Sequence, residues 1–200
     1  MSVTRYSLAL GTSIAIGAMT GQPAAAHFQE ILPNEDVLPE GGAVELDLVF
    51  THPMERGPLM SMERPARVGV LIGGKITELD DALVEADQDG AATWHLGHTL
   101  DEPGAAVFFV TPQPYWEASE GQFIVHHAKV IVDSYASGIG WDEMVGLPAE
   151  IAPLTRPTGL WAGNTFTGVV MADGEPVPFA EIEVEYVNDG SITPPNDAFI

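Results

Sequence analysis

Residues 43–50 read Ala43-Val44-Glu45-Leu46-Asp47-Leu48-Val49-Phe50. Apolar and acidic side chains alternate through most of this stretch. In an extended chain successive side chains point to opposite faces, so a period of two places Val44, Leu46 and Leu48 on one face and the acids on the other. This is a half-buried β-strand. Working outward, residues 68–72 form another apolar strand ended by the turn Gly73-Gly74, and Asp89-Gly90 is a hairpin signal before the strand at 92–96. Residues 105–111 are a continuous apolar run stopped by Pro112 and Pro114, and residues 122–134 are the longest strand candidate. Residues 165–171, the turn Asp173-Gly174 and residues 180–187 make a further hairpin-like set. Only residues 78–86 read as helical, for a couple of turns. Short strands at this spacing with Pro- and Gly-rich turns predict an all-β chain built as an antiparallel β-sandwich.

Residues 136–163 are rich in Gly and Pro and lack clear periodicity, which marks a boundary. The expected organisation is a leader at 1–26, an N-terminal β-sandwich over 27–155, and a second β-module from 160 to 200. The run at 168–186 resembles the opening of transthyretin-like or carboxypeptidase-regulatory-like modules. Those modules need more strands than remain before Ile200, where residues 198–200 start another strand. The chain is therefore expected to be truncated at its C-terminus.

The leader reading rests on residues 1–26. Arg5 is basic, no acid occurs before Glu30, residues 8–19 are apolar but too short to span a bilayer, and Pro23 is followed by Ala24-Ala25-Ala26. This is a secretory signal with cleavage expected after Ala26. His27 then starts the exported chain with a free α-amine beside its imidazole. That amine titrates near ~8 and can release its proton to a metal at neutral pH. The chain has no cysteine, so any metal site must draw on His, Asp, Glu, Met, amine or water. Export without disulfides fits a periplasm. No second apolar stretch reaches ~20 residues, so no membrane span is expected after the leader. The net charge is −22, with 29 acidic against 7 basic residues. Such a surface repels nucleic acid and anionic headgroups, and it keeps the chain soluble.

Five histidines follow His27. His52 sits in Thr51-His52-Pro53-Met54 where the first strand runs out, a place where a scaffold holds a ligand open to an ion. His126 and His127 are adjacent and point to opposite faces. His126 shares its side with Ile124, Ala128 and Val130, while His127 faces with Phe123, Val125 and Lys129. A lone histidine on an apolar face is more often a hydrogen-bonded core residue than a ligand. His95 and His98 also face opposite ways and read as surface residues. Met54, Met60 and Met62 suit Cu(I) by softness, but methionines in such loops more often pack. Tyr115 and Trp116 either wall a pocket or pack. No G-x-S-x-G, phosphate loop or H-E-x-x-H is present, and no basic patch with aromatics exists for nucleic acid. No enzyme activity is expected.

Several stretches taken together resemble one family: AHFQEILPNEDVL (26–38), FTHPMERGPLMSMERPARVGVLIGGKITEL (50–79), PGAAVFFVTPQPYWEASEGQFIVHHAKVIVD (103–133), GWDEMVGLPAEIAPLTRPTGLWAGNTFTGVV (140–170) and DGEPVPFAEIEVEYVN (173–188). They are similar to periplasmic components associated with bacterial nickel and cobalt uptake, a family long described as a domain of unknown function. The resemblance implies an exported, all-β accessory protein that hands Ni(II) or Co(II) to a membrane metal-uptake transporter. It implies a metal site at His27, His52 and His126. The family pattern has one histidine followed by an aromatic in the last of these segments, and here His127 takes the second place. The residues themselves point to a divalent transition metal, since nitrogen donors suit Ni(II) and suit Cu(II) still better. A copper carrier or resistance protein is thus the second reading. A histidine-brace copper oxygenase and a plain adhesive sandwich are the third and fourth.

Overall fold

The computed structural model describes residues 27–118, 121–161 and 163–191. The expected leader and the strand start at 198–200 lie outside the described residues. Fourteen strands occur among those described: β1 (Phe28–Pro33), β2 (Val37–Leu38), β3 (Gly42–Thr51), β4 (Arg67–Ile72), β5 (Lys75–Glu78), β6 (Val84–Gln88), β7 (Ala91–Leu100), β8 (Gly104–Thr111), β9 (Tyr115–Glu117), β10 (Gln122–Ile124), β11 (Ala128–Ser134), β12 (Ala149–Pro153), β13 (Gly168–Ala172) and β14 (Glu175–Pro176). The protein is all-β, and its pairings are antiparallel except for the short parallel contact of β2 with β11. Among the described residues no helix is long and apolar enough to cross a membrane.

Two sheets face each other. One has the order β1-β3-β7-β6 and the other β2-β11-β8-β4-β5. Their inner faces carry Val44, Leu46, Leu48, Trp94, Leu96, Phe108, Val110 and Val132 in one apolar core. The alternation of β3 therefore does what its pattern demands: Val44 and Leu46 are fully buried while Glu45 and Asp47 face out. The continuous apolar run of β8 has a different cause. Phe108 and Val110 enter the sandwich, while Val107 and Phe109 enter a second core against Val145 and Leu147 on the sheet's outer side. A strand covered on both faces has no reason to alternate. Each of these large side chains contributes about 1.5–3 kcal/mol through burial.

The turns follow their local chemistry. Gly73-Gly74, Asp89-Gly90 and Asp173-Gly174 each join paired strands, and in each turn both residues have positive φ, between 49° and 83°. That is the two-residue turn whose twist matches the flanking strands, and Gly and Asp tolerate it best.

Three expectations change. Residues 78–86 are not helical: a single 3-10 turn at Asp80–Ala82 is followed by β6, which pairs along β7. Cross-strand pairing at an open sheet edge outweighs a weak local helix preference. Residues 122–134 are not one strand. They divide into β10, which pairs with β9, and β11, which pairs with β8, and residues 125–127 bridge the two. Residues 180–187 join no strand among the described residues; the turn Asp173-Gly174 forms as expected, but it pairs Gly168–Ala172 with the two-residue strand Glu175–Pro176 in place of residues 180–187.

The C-terminal sheet has the order β12-β13-β14, so residues 149–153 pair with Gly168–Ala172. Its anchor is Glu150, whose carboxylate accepts from Lys129 Nζ at 2.7 Å and from the backbone N–H groups of Gly146 and Leu147 at 2.7 and 3.1 Å. Charge and hydrogen bonds together satisfy a carboxylate that lies almost wholly out of water.

Candidate metal centre

The pairing of β1 with β3 brings the first candidate pair together. Phe28 lies opposite Thr51, so the residues one step beyond, His27 and His52, meet across the end of the ladder. Their ring centroids are 4.1 Å apart. The backbone beyond β3 holds His52 in place. Gly57 N donates to His52 O at 3.1 Å, and Thr51 Oγ1 donates to Gly57 O at 3.0 Å. A Cβ on Gly57 would stand 3.1 Å from His52 Cβ, so glycine leaves the space this side chain occupies.

His27 meets two further groups. Strand β9 places Tyr115 and Glu117 on one face and Trp116 on the other, where Trp116 packs edge-on to Phe123. The Tyr115 hydroxyl donates to Glu117 Oε2, and the Tyr115 hydroxyl oxygen lies 3.0 Å from His27 Nδ1. Glu117 Oε2 is 3.8 Å from His27 Nδ1, and its side chain is only 10% exposed. Burial, and then the neighbouring His52 imidazole, push the His27 pKa below its ordinary value of 6.5; Glu117 pulls the other way and is outweighed. The neutral ring is the form that binds a metal.

His126 reaches the same neighbourhood through shared aromatic rings. Its ring centroid is 5.5 Å from Phe50 and 6.1 Å from Tyr115, and both of those rings also contact His27, at 5.5 and 5.7 Å. The structure thus brings His27 and His52 into direct ring contact and links His126 to them through Phe50 and Tyr115. Among the described residues no three His, Asp or Glu groups already form a closed shell around one point. Beside His126 lies a cleft of about 250 Å³ lined by Gln29, Phe50, Met60, Met62, Tyr115 and Trp116. Met54 and Met62 are buried, and Met60 packs against the core.

The remaining histidines stand apart. His127 faces the opposite way to His126, with Nδ1 3.1 Å from Thr111 Oγ1, and burial lowers its pKa. His95 lies on the outer face of β7, where Nδ1 is 2.8 Å from Asp47 and Nε2 is 2.8 Å from Glu45. His98, expected at the surface, is half-buried and packs edge-on to Phe108 of the core, because β7 turns its even-numbered residues inward. Burial lowers its pKa.

Two features of this neighbourhood went unread in the sequence. One is Glu117 and its contact with His27: Tyr115 already read as a pocket wall or a packing residue, but nothing local says that Glu117 joins it and that both meet His27. The other feature is the acidic segment at 181–185. Glu185 Oε2 accepts from Met54 N at 3.1 Å, and Asn188 Nδ2 donates to Met54 O at 2.9 Å, which fastens the segment to the loop that follows His52. The Glu183 pKa is raised by burial and by Glu185 and Glu181, while His52 opposes the rise. Glu185 also acts on Glu30, whose pKa is pushed up to about 7, chiefly by burial. Glu30 Oε1 is buried without a hydrogen-bond partner among the described residues.

The chain belongs to a family of domains of unknown function, DUF4198. The family's model matches residues 24–200, so DUF4198 covers all three candidate histidines and every strand described above. Neither a curated protein nor a solved structure matches the chain.

Proposed function

We propose that this DUF4198 protein is a periplasmic binding protein for a divalent transition metal, nickel or cobalt, that assists a membrane metal-uptake transporter and performs no catalysis of its own. The observation that carries the reading is the contact of His27 and His52, from segments far apart in the chain, at a ring separation of 4.1 Å. Burial keeps His27 neutral, which suits a ligand. Export with cleavage after Ala26 adds the α-amine of His27, and His126 supplies a further imidazole from across Phe50. Nitrogen donors of this kind favour Ni(II) and Co(II) over harder ions, and the resemblance of the quoted segments to nickel- and cobalt-uptake components selects those two. The acidic surface concentrates cations near the site and disfavours nucleic acid as a partner.

Copper is the second reading. It is favoured by the cleft beside His126, whose wall includes Met60 and Met62 and so offers thioethers near an imidazole. Metal analysis of the protein recovered from the periplasm with its native N-terminus, followed by calorimetric titration with Ni(II), Co(II) and Cu(II), separates the two. Stoichiometric nickel or cobalt supports the first reading, copper alone supports the second, and a protein that binds none of the three removes both.

A further inference from the structure

Glu117 is a buried carboxylate with no evident packing role. Its side chain is nine-tenths out of water, yet it stands beside an imidazole and a phenol at the end of the sandwich where β1, β3 and β9 come together. Enclosing a carboxylate costs free energy unless charge or hydrogen bonds compensate. Tyr115 donates one such hydrogen bond, so the carboxylate is partnered, and its place beside His27 has a reason in that ring.

The reason lies in which nitrogen of His27 faces it. An α-amine and an imidazole on the same residue close a small chelate ring through Nδ1, whereas Nε2 points away from the backbone and cannot join that ring. His27 Nδ1 is the atom that faces the Tyr115 oxygen at 3.0 Å and Glu117 Oε2 at 3.8 Å. Two donors that each lie ~2.0–2.2 Å from a shared ion are separated by at most ~4.4 Å. Nδ1 and Oε2 are already within that span. The His52 ring centroid stands 4.1 Å from that of His27.

We infer that Glu117 is an oxygen ligand of the metal centre, binding the ion chelated by the amine and Nδ1 of His27, with Tyr115 as the residue that positions it. This rests on the metal-binding reading above. The ion takes the Nδ1 lone pair while the single proton of the neutral ring sits on Nε2, and the Tyr115 hydroxyl keeps its hydrogen bond to the carboxylate. A single carboxylate among neutral nitrogens offsets part of the charge of a divalent ion and adds a harder donor to the set.

The test uses the exported chain beginning at His27. Ni(II) affinity is read by calorimetry and Cu(II) ligation by electron paramagnetic resonance, for the unmodified protein, Glu117→Gln, Tyr115→Phe and His52→Ala. Glu117→Gln keeps the shape and an acceptor for Tyr115 but removes the charge. It is expected to weaken Ni(II) binding by at least about tenfold, the size that even outer-shell partners of a metal ligand command, and to shift the Cu(II) spectrum as an oxygen donor is lost. Tyr115→Phe is expected to weaken binding less and to leave the donor set unchanged. If Glu117→Gln has the affinity and spectrum of the unmodified protein while His52→Ala has lost binding, the proposal is overturned and the metal-binding reading stands. If the unmodified protein binds no metal, both fall. A crystal structure of the Ni(II)-loaded unmodified protein decides without any variant: a Glu117 oxygen within ~2.2 Å of the ion supports the inference, and an ion held at His27 Nε2 away from Glu117 overturns it.

Discussion

Two histidine–carboxylate groups on this molecule differ in what they hold. On the outer face of the sandwich His95 lies between Asp47 and Glu45, 2.8 Å from each, and its hydrogen bond to Asp47, then the one to Glu45, raise its pKa against the opposing effect of burial. At the end of the same sandwich His27 stands near Glu117, yet burial and His52 lower its pKa. The first group holds its proton more tightly than a free imidazole does. The second keeps its imidazole free for another cation. The same residue types give opposite chemistry, because water and two carboxylates surround one ring while an aromatic wall and a second imidazole surround the other.

The largest effect that tests this contrast concerns Phe50, whose buried ring touches His27, Tyr115 and His126. Phe50→Ala is expected to cost about 3–5 kcal/mol of stability in denaturant titration and to abolish the metal site with it. His95 shares no such piece of core, so His95→Ala is expected to leave Ni(II) affinity unchanged. Should both variants bind Ni(II) equally, the distinction between the two groups is lost. Next in size, His52→Ala is expected to weaken Ni(II) binding by about a hundredfold or more, and His126→Ala by about tenfold, since His52 is in direct ring contact with His27 while His126 is linked to it through Phe50 and Tyr115. Calorimetry showing equal losses at the two positions would place His126 in the same relation to the ion as His52.

A smaller effect comes from Glu30, near the start of β1. Its folded pKa of about 7 lies above the ordinary value of 4.5, because burial and Glu185 oppose its ionisation. The folded state therefore holds this proton more tightly than the unfolded state. Stability is lost as pH rises from about 4.5 to about 7 and stays low above that. Glu30→Gln is expected to stabilise the fold by about 1–2 kcal/mol at pH 8, after allowance for partial solvent contact, and to change little at pH 4. Thermal melts across that range check it; a variant no more stable than the unmodified protein at pH 8 shows that Glu30 ionises without cost. The smallest effect is on His95. Its raised pKa contributes stability that is present below pH 6.5 and lost as pH rises through the folded value. The pair is largely solvated, so His95→Gln is expected to cost under about 1 kcal/mol at pH 6 and nothing measurable at pH 9.

Much of the fold was legible because it is written locally. The period of two in residues 43–50 named a half-buried strand, and Gly73-Gly74, Asp89-Gly90 and Asp173-Gly174 named three hairpins, since positive φ at both turn positions is a property of the residues themselves. Where the sequence misled, the deciding partner was distant. Residues 78–86 yielded to the edge of β7, and residues 180–187 lie in no ladder, with Glu185 and Asn188 bonded to the loop after His52. His98 read as surface because its inward face depends on the register of a whole sheet.

The candidate site divides in the same way. The sequence by itself determined the soft and nitrogen donors on offer: no cysteine, six histidines, with His27 at the expected start of the exported protein and His52 at a strand end, among 29 acids that it could not rank. Only the tertiary structure decided that β1 runs back along β3 so that His27 meets His52, that Phe50 contacts both His27 and His126, and that Tyr115 and Glu117 of β9 close on Nδ1 of His27. Side-chain period is local, but strand order and register arise from the packing of whole faces, and a site assembled from four strand ends exists only once those faces have met.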